Sequence, residues 1–179
     1  MSDAEPSALF RTKCTLALRV LAALASLVAA IAMGISHEPV PLPSLHSIKI
    51  EAKDVSCFMY FMGINSIVSA YSFLVLLLPK TSLLWRSIVA SDVVAAMLLA
   101  SINSATLGMF YMEMKGNTHA RWSPICDLVS SYCTRVLTAV TAGYIALGMY
   151  FFNIIFCLCM ALNPLLLQAP KKEQPPPKK

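Results

Sequence analysis

The sequence predicts an all-α membrane protein, a four-helix transmembrane bundle. Three observations lead there: a composition too apolar for water, four charge-poor runs of spanning length, and polar or proline-bearing segments between them. Of the 179 residues, 58% are hydrophobic and 13% charged, whereas soluble domains carry about a quarter charged residues. A water-soluble fold of this size has too much surface for its volume to hide that apolar content. Lipid accommodates it. The formal charge is a modest +5, and ten methionines with no charge-dense face argue against nucleic acid as a partner.

A spanning helix needs roughly 20 mostly apolar residues, because about 30 Å of hydrocarbon is crossed at about 1.5 Å per residue. Four stretches qualify, at about residues 16–35, 57–78, 88–112 and 136–162. Each must be helical, since an unpaired backbone amide in hydrocarbon costs several kcal/mol. None shows the alternation of a membrane β-barrel strand. His37-Glu38-Pro39-Val40-Pro41 and Leu78-Pro79-Lys80 read as loops. The chain thus divides into an N-terminal segment (1–15), a four-helix domain (16–167) and a basic, proline-rich tail (168–179). Ala30-Ile31-Ala32 resembles a signal-peptidase site. The run before it is longer than a signal core and is interrupted by Arg19, so the first span is expected to be retained.

The positive-inside rule orients the bundle. Arg11, Lys13, Lys80, Arg86, Lys171, Lys172, Lys178 and Lys179 fall on one side, against Asp3, Glu5 and Glu173. On the other side Lys49, Lys53, Lys115, Arg121 and Arg135 are balanced by Glu38, Glu51, Asp54, Glu113 and Asp127. The first side, which holds both termini, is expected to be cytosolic. Cys126 and Cys133 then share the second outer loop, where an oxidising space favours a disulfide over two free thiols or a bond to another chain. Cys14, Cys157 and Cys159 sit near the inner boundary and read as buried thiols ahead of palmitoylation sites. The tail lysines are expected to rest against anionic cytosolic lipid.

Two ionisable residues fall inside the spans, Arg19 and Asp92, each about one turn from the inner end of its helix. A lone charge in hydrocarbon costs at least about 2.5–3.5 kcal/mol on insertion scales, so opposite charges at equal depth are expected to pair. Small residues recur every four positions alongside them: Ala22, Ser26, Ala30 and Gly34 in the first span, and Ala96, Ala100, Ser104 and Gly108 in the third. Such faces let helix backbones approach closely. The first and third helices are therefore expected to pack together with Arg19 facing Asp92. Asn65, Asn103 and Asn153 are expected to bond between helices. Ala139 with Gly143 offers a small face for self-association.

The chemistry of an enzyme is missing from the pattern. His37, His46 and His119 all fall in outer loops without ligand spacing, and no phosphate-binding glycine motif occurs. No cofactor is expected. A transporter would line its path with several buried polar groups, and one charge pair near a membrane face makes a poor relay.

The sequence also resembles a known family over about residues 18–167. The carriers are Leu18-Arg19-Val20-Leu21, Tyr71-Ser72-Phe73-Leu74-Val75-Leu76 with Leu78-Pro79-Lys80, and Asp92 at the start of the third span. Most specific is Lys115-Gly116-Asn117-Thr118-His119-Ala120-Arg121-Trp122, followed by Pro124-Ile125-Cys126 and Tyr132-Cys133. These are similar to the CASP-like proteins, relatives of the plant Casparian strip membrane domain proteins and of the tetraspan MARVEL group, with subfamily 1C nearest. The resemblance implies a plasma-membrane location and cytosolic termini. It implies association with further copies or with related CASP-like proteins, and marks Arg19 and Asp92 as signature positions. It also implies membrane scaffolding, with wall-associated extracellular proteins as partners and a link to local cell-wall modification. The acidic-aromatic stretch of true Casparian strip proteins is missing from the first outer loop, which reads Glu38-Pro39-Val40-Pro41-Leu42-Pro43-Ser44. Peptide mapping without reductant should recover Cys126 and Cys133 in one linked pair of peptides; recovery of both as free thiols would contradict the loop reading.

Overall fold

A computed structural model describes residues 5–40, 48–78, 82–117, 119 and 121–167. Lys80, His46 and the tail, 168–179, lie outside the described residues. Four long helices make the fold: α1 (Glu5–Gly34), α2 (Ser56–Leu77), α3 (Ser82–Lys115) and α4 (Ser130–Leu167). All four are long and apolar enough to cross a membrane. Except for α2, they overrun the apolar stretches of the sequence. Those stretches mark what lipid must cover, whereas a started helix gains one backbone bond per added residue and propagates into the polar flanks.

The distribution of side chains is that of a protein dissolved in oil. Leu77, Ile67 and Phe152 point outward, with Leu77 85% exposed. The interior mixes large apolar side chains, among them Phe58, Phe61, Leu99 and Met33, with small and polar ones: Ala22, Ala23, Ala29, Ala139 and Ala146 are buried, as are Ser26, Ser69, Asn65 and Asn103. Lipid supplies no hydrophobic drive between helices, so close backbone approach and van der Waals contact hold them together.

Helix α1 packs along α4 and α2, and α3 along the same two, so α1 and α3 occupy opposite corners of the bundle. This corrects the expectation of a packed seam between α1 and α3. Ala22, Ser26 and Ala30 are buried, yet they serve contacts with the flanking helices; Ser69 Oγ of α2, for example, donates to the Ala23 carbonyl at 3.0 Å. Gly34 faces Met62 of α2. On α3, Ala96 is buried and Ala100 partly so, but Ser104 and Gly108 are exposed. The cause is helical drift. A four-residue repeat advances about 40° beyond a full turn at each step, so three steps carry the stripe about 120° around the helix. Ala139 and Gly143 are likewise inside the bundle rather than free for another copy.

The α1–α2 connection is not wholly irregular. β1 (His37–Val40) pairs antiparallel with β2 (Ile48–Glu51), with His37 opposite Glu51 and Val40 opposite Ile48. Pro39 is tolerated because each strand of a two-stranded ribbon has an open edge. A 3-10 turn, Ala52–Asp54, leads into α2, and the Ala52 amide donates to the Ser36 carbonyl at 3.0 Å.

Among the glycines of the spans, Gly143 sits closest against its neighbours. A Cβ there would lie 2.6 Å from Asn103 Oδ1 and 3.0 Å from the Phe61 ring, whereas one at Gly148 would meet nothing within 4 Å. Gly143→Ala should therefore destabilise the bundle by about 1–3 kcal/mol, and Gly148→Ala should not. Thermal midpoints in detergent measure both, and equal responses would contradict this packing.

Candidate functional site: an intramembrane polar cluster and a tethered loop face

Toward one side of the bundle, the N-terminal halves of α1 and α3 and the C-terminal halves of α2 and α4 meet around a single carboxylate. Asp92 is 1% exposed. Arg19 crosses from the opposite corner and donates twice, from Nη1 to Oδ1 at 2.9 Å and from Nη2 to Oδ2 at 2.5 Å. A bidentate guanidinium–carboxylate contact is the strongest arrangement these groups have, and its planar fork fixes orientation as well as distance. The Tyr71 hydroxyl of α2 donates to Oδ1 at 2.9 Å, and Asn153 Nδ2 of α4 to Oδ2 at 3.3 Å. Each helix thus contributes one member. Ser72 and Tyr150 join α2 to α4 across the other diagonal through their hydroxyls, and Tyr150 also reaches the Val68 carbonyl at 3.4 Å.

The structure therefore brings Arg19 and Asp92 together without a small-residue seam beneath them. An arginine side chain is long enough to span a diagonal that two backbones cannot close. Sequence reasoning placed the pair and expected Asn153 to bond between helices, as it does, but missed Tyr71, Ser72 and Tyr150. The available signal was depth: Tyr71 and Ser72 lie in the last third of α2, and Tyr150 past the middle of α4, on the side that Asp92 shares. The other asparagines depart from expectation. Asn65 Nδ2 bonds within its own helix, to the Phe61 carbonyl at 2.9 Å, and neither side-chain polar atom of Asn103 has a hydrogen-bond partner among the described residues.

The other end carries the connections. Cys126 and Cys133 are joined, with Cα atoms 5.6 Å apart, tying the loop to the first turn of α4. Glu38 of β1 accepts from the Tyr132 backbone amide at 2.8 Å. A carboxylate there satisfies an amide that the start of a helix leaves open, and it complements the positive end of the helix dipole. Arg135 Nη1 returns to the Ile35 and His37 carbonyls at 3.2 and 3.3 Å. The first loop is clamped to α4 from both directions. The Tyr132 hydroxyl reaches buried Glu113 of α3 at 3.3 Å. Between α3 and the disulfide the chain turns through Gly116 and Arg121, at φ of 69° and 54°, and Asn117 and Trp122 exchange backbone bonds. A Cβ at Gly116 would strike the Trp122 carbonyl, so that turn requires glycine. Trp122 is left 52% exposed. On the hairpin, Lys49 meets Glu51 at 3.0 Å, and its hydrogen bond holds that carboxyl below the usual range.

Among the described residues no group of three His, Cys, Asp or Glu side chains is placed to hold a metal ion. Cys14 is half-buried, Cys157 buried and Cys159 exposed. At Asp92 the two charged groups engage each other, while Asn153 Oδ1 is buried without a hydrogen-bond partner among the described residues.

These features define a class: a multi-pass membrane protein of four helices, locked internally by a charge pair and capped by a disulfide-closed loop. Residues 9–149 match the Casparian strip membrane protein domain. The chain is 43% identical to CASP-like protein 1C1 of Arabidopsis thaliana over 155 residues, covering 86% of this chain and 93% of that one. It is 47% identical to CASP-like protein 1C2 of Vitis vinifera over 137 residues, 76% of this chain and 84% of that one. It is 40% identical to CASP-like protein 1C3 of Populus trichocarpa over 158 residues, 87% of this chain and 91% of that one. The chain belongs to the CASP-like family, in its 1C group. No solved structure matches it.

Removing one partner of a buried pair leaves the other charged and unsolvated, at a cost of about 3–5 kcal/mol. Arg19→Ala and Asp92→Ala should each lose about that much, and Tyr71→Phe about 1–3 kcal/mol, read as detergent unfolding midpoints and as the fraction delivered to the cell surface. The exchanged pair, Arg19→Asp with Asp92→Arg, should recover part of the loss. Wild-type behaviour of both alanine variants would remove the cluster from any structural role.

Proposed function

We propose that the protein is a non-enzymatic scaffold of the plasma membrane, with both termini in the cytosol. In this reading it assembles with further copies of itself and with related CASP-like proteins. It thereby organises a membrane domain and presents its outer loops to wall-associated proteins, with a link to local cell-wall modification. The observation that carries the reading is the pairing of a self-engaged interior with a tethered exterior. The ionisable groups near Asp92 bond to one another, which suits a lock rather than a relay. The outer face is tied by the disulfide, by Glu38 to the start of α4 and by Arg135 to the first loop, which suits a surface that must hold its shape. Membership of the Casparian strip domain family supports the scaffold role, and the placement of basic residues supports the orientation.

A fluorescent fusion at the plasma membrane should recover slowly after photobleaching and should cluster laterally. Free diffusion, together with substrate flux in vesicles reconstituted with the purified protein, would instead identify a small transporter or channel subunit.

A further inference from the structure

Among the described residues two carboxyls are buried, Asp92 and Glu113, and they are held in opposite ways. Asp92 faces an arginine. Glu113 stands about 30 Å farther along α3, at about 1.5 Å per residue, a rise equal to the whole hydrocarbon thickness of about 30 Å. It therefore lies just beyond the apolar stretch, among the connections. Its side chain is 6% exposed, and its hydrogen-bond partner is the Tyr132 hydroxyl at 3.3 Å. The lysines and arginines of this end, Lys49, Lys53, Lys115, Arg121 and Arg135, are all among the described residues, and none forms an ion pair with it. Lys49 is engaged by Glu51, and Arg135 by the Ile35 and His37 carbonyls.

The remaining neighbours do not favour a charge there either. Asp54, on the turn before α2, and Glu38, on β1, both act on Tyr132 and are acidic themselves. Cys57 at the start of α2 contacts Thr106 instead, and Arg121 and Asp127 of the loop are exposed. A carboxylate taken out of water without a cation is costly, whereas the neutral acid is far less so. Desolvation accordingly pushes the Glu113 carboxyl up to about 7, against the weaker pull of the Tyr132 hydroxyl toward the charged form.

Position gives this proton a mechanical meaning. The Glu113 carbonyl accepts from the Ile125 amide at 2.9 Å, and its carboxyl meets Tyr132 in the first turn of α4. Those two contacts flank Cys126 and adjoin Cys133, so one residue of α3 fastens the disulfide-closed loop at both ends. Tyr132 is fully buried, and its amide is the one that Glu38 caps, which extends the linkage to β1.

We propose that Glu113 is a proton-operated latch: protonated, it fastens the disulfide-closed loop to α3, and on losing the proton it lets that loop loosen. The folded chain keeps this proton to higher pH than an unfolded chain, whose carboxyl has the ordinary value of 4.5. The latch's contribution to stability is therefore complete below 4.5 and is lost as the pH climbs through about 7. The latch requires only the fold and is independent of the scaffold reading.

Two measurements on the full chain, purified in detergent with its disulfide intact, test this. With carbon-13 in the glutamate carboxyls, the infrared band of a protonated glutamic acid should persist to near neutral pH and be missing from Glu113→Gln. Cys133 is buried, so reduction of the disulfide by a phosphine reports opening of the loop. The wild-type reduction rate, divided by that of Glu113→Gln in the same buffer, should rise about tenfold or more from about pH 5 to about pH 8. Tyr132→Phe removes the one contact that favours the charge, and should move the midpoint of the infrared band to higher pH. If Glu113→Gln does not fold, the wild-type band and its displacement in Tyr132→Phe still decide. Loss of the band in the ordinary carboxyl range, a midpoint unmoved by Tyr132→Phe, or a rate ratio flat with pH would each overturn the proposal.

Discussion

A carboxylate that is almost wholly buried within a transmembrane helix has no water to solvate it, and the rest of this structure is arranged around that fact. Asp92 receives hydrogen bonds from Arg19, Tyr71 and Asn153, one on each of the other three helices. Because each donor sits at a definite height, satisfying the carboxylate sets the vertical register of all four helices at once. Lipid gives helices little reason to choose one sliding position over another, since apolar side chains face hydrocarbon either way. The polar cluster supplies the reason. Whether such a pair adds net stability over an apolar replacement is a separate matter from the register it imposes.

Register at the opposite end is set by other means. There the chain is close enough to water to use covalent closure, strand pairing and helix capping, none of which depends on desolvation. Cys126–Cys133, the β1–β2 ribbon, the Glu38 contact to the Tyr132 amide and the Arg135 contacts to the first loop bind the two connections into one unit. Arg121 occupies a left-handed backbone conformation that only about a few per cent of non-glycine residues adopt. The surrounding tethers therefore override its local preference. A face held this way keeps exposed residues such as Trp122 in a fixed arrangement. Between the two ends the helices meet through alanines and serines interleaved with large apolar side chains such as Phe58, Phe61, Leu99 and Leu147, and the α2–α3 seam stays open where α3 offers too little bulk.

The spans were legible in the sequence because burial in lipid is a property of composition along the chain, visible without any partner. The Arg19–Asp92 contact was legible for a related reason. Charge in hydrocarbon is so unfavourable that depth alone nominates a mate. The small-residue stripes misled because periodicity of four was read as a straight face, while the helix turns that face away over three steps. Ser104 and Gly108 ended exposed, and Ala139 and Gly143 ended inside. The hairpin was hidden because Pro39 and its neighbours carry the marks of a loop. Only the opposing segment Ile48–Glu51 turns that stretch into a strand.

By itself the sequence determined the solvent, the number of crossings, the thiols free to meet in one loop and the two charges obliged to find each other. These follow from one-dimensional quantities: apolar length, charge placement and spacing. The tertiary structure alone decided which helices are neighbours and which lie diagonal, which hydroxyls and amides complete the shell of Asp92, and where a groove remains. Those depend on how far each helix is rotated about its axis. Within a lipid solvent that accepts every apolar face equally, rotation is settled only when polar atoms and close-packed glycines meet specific counterparts.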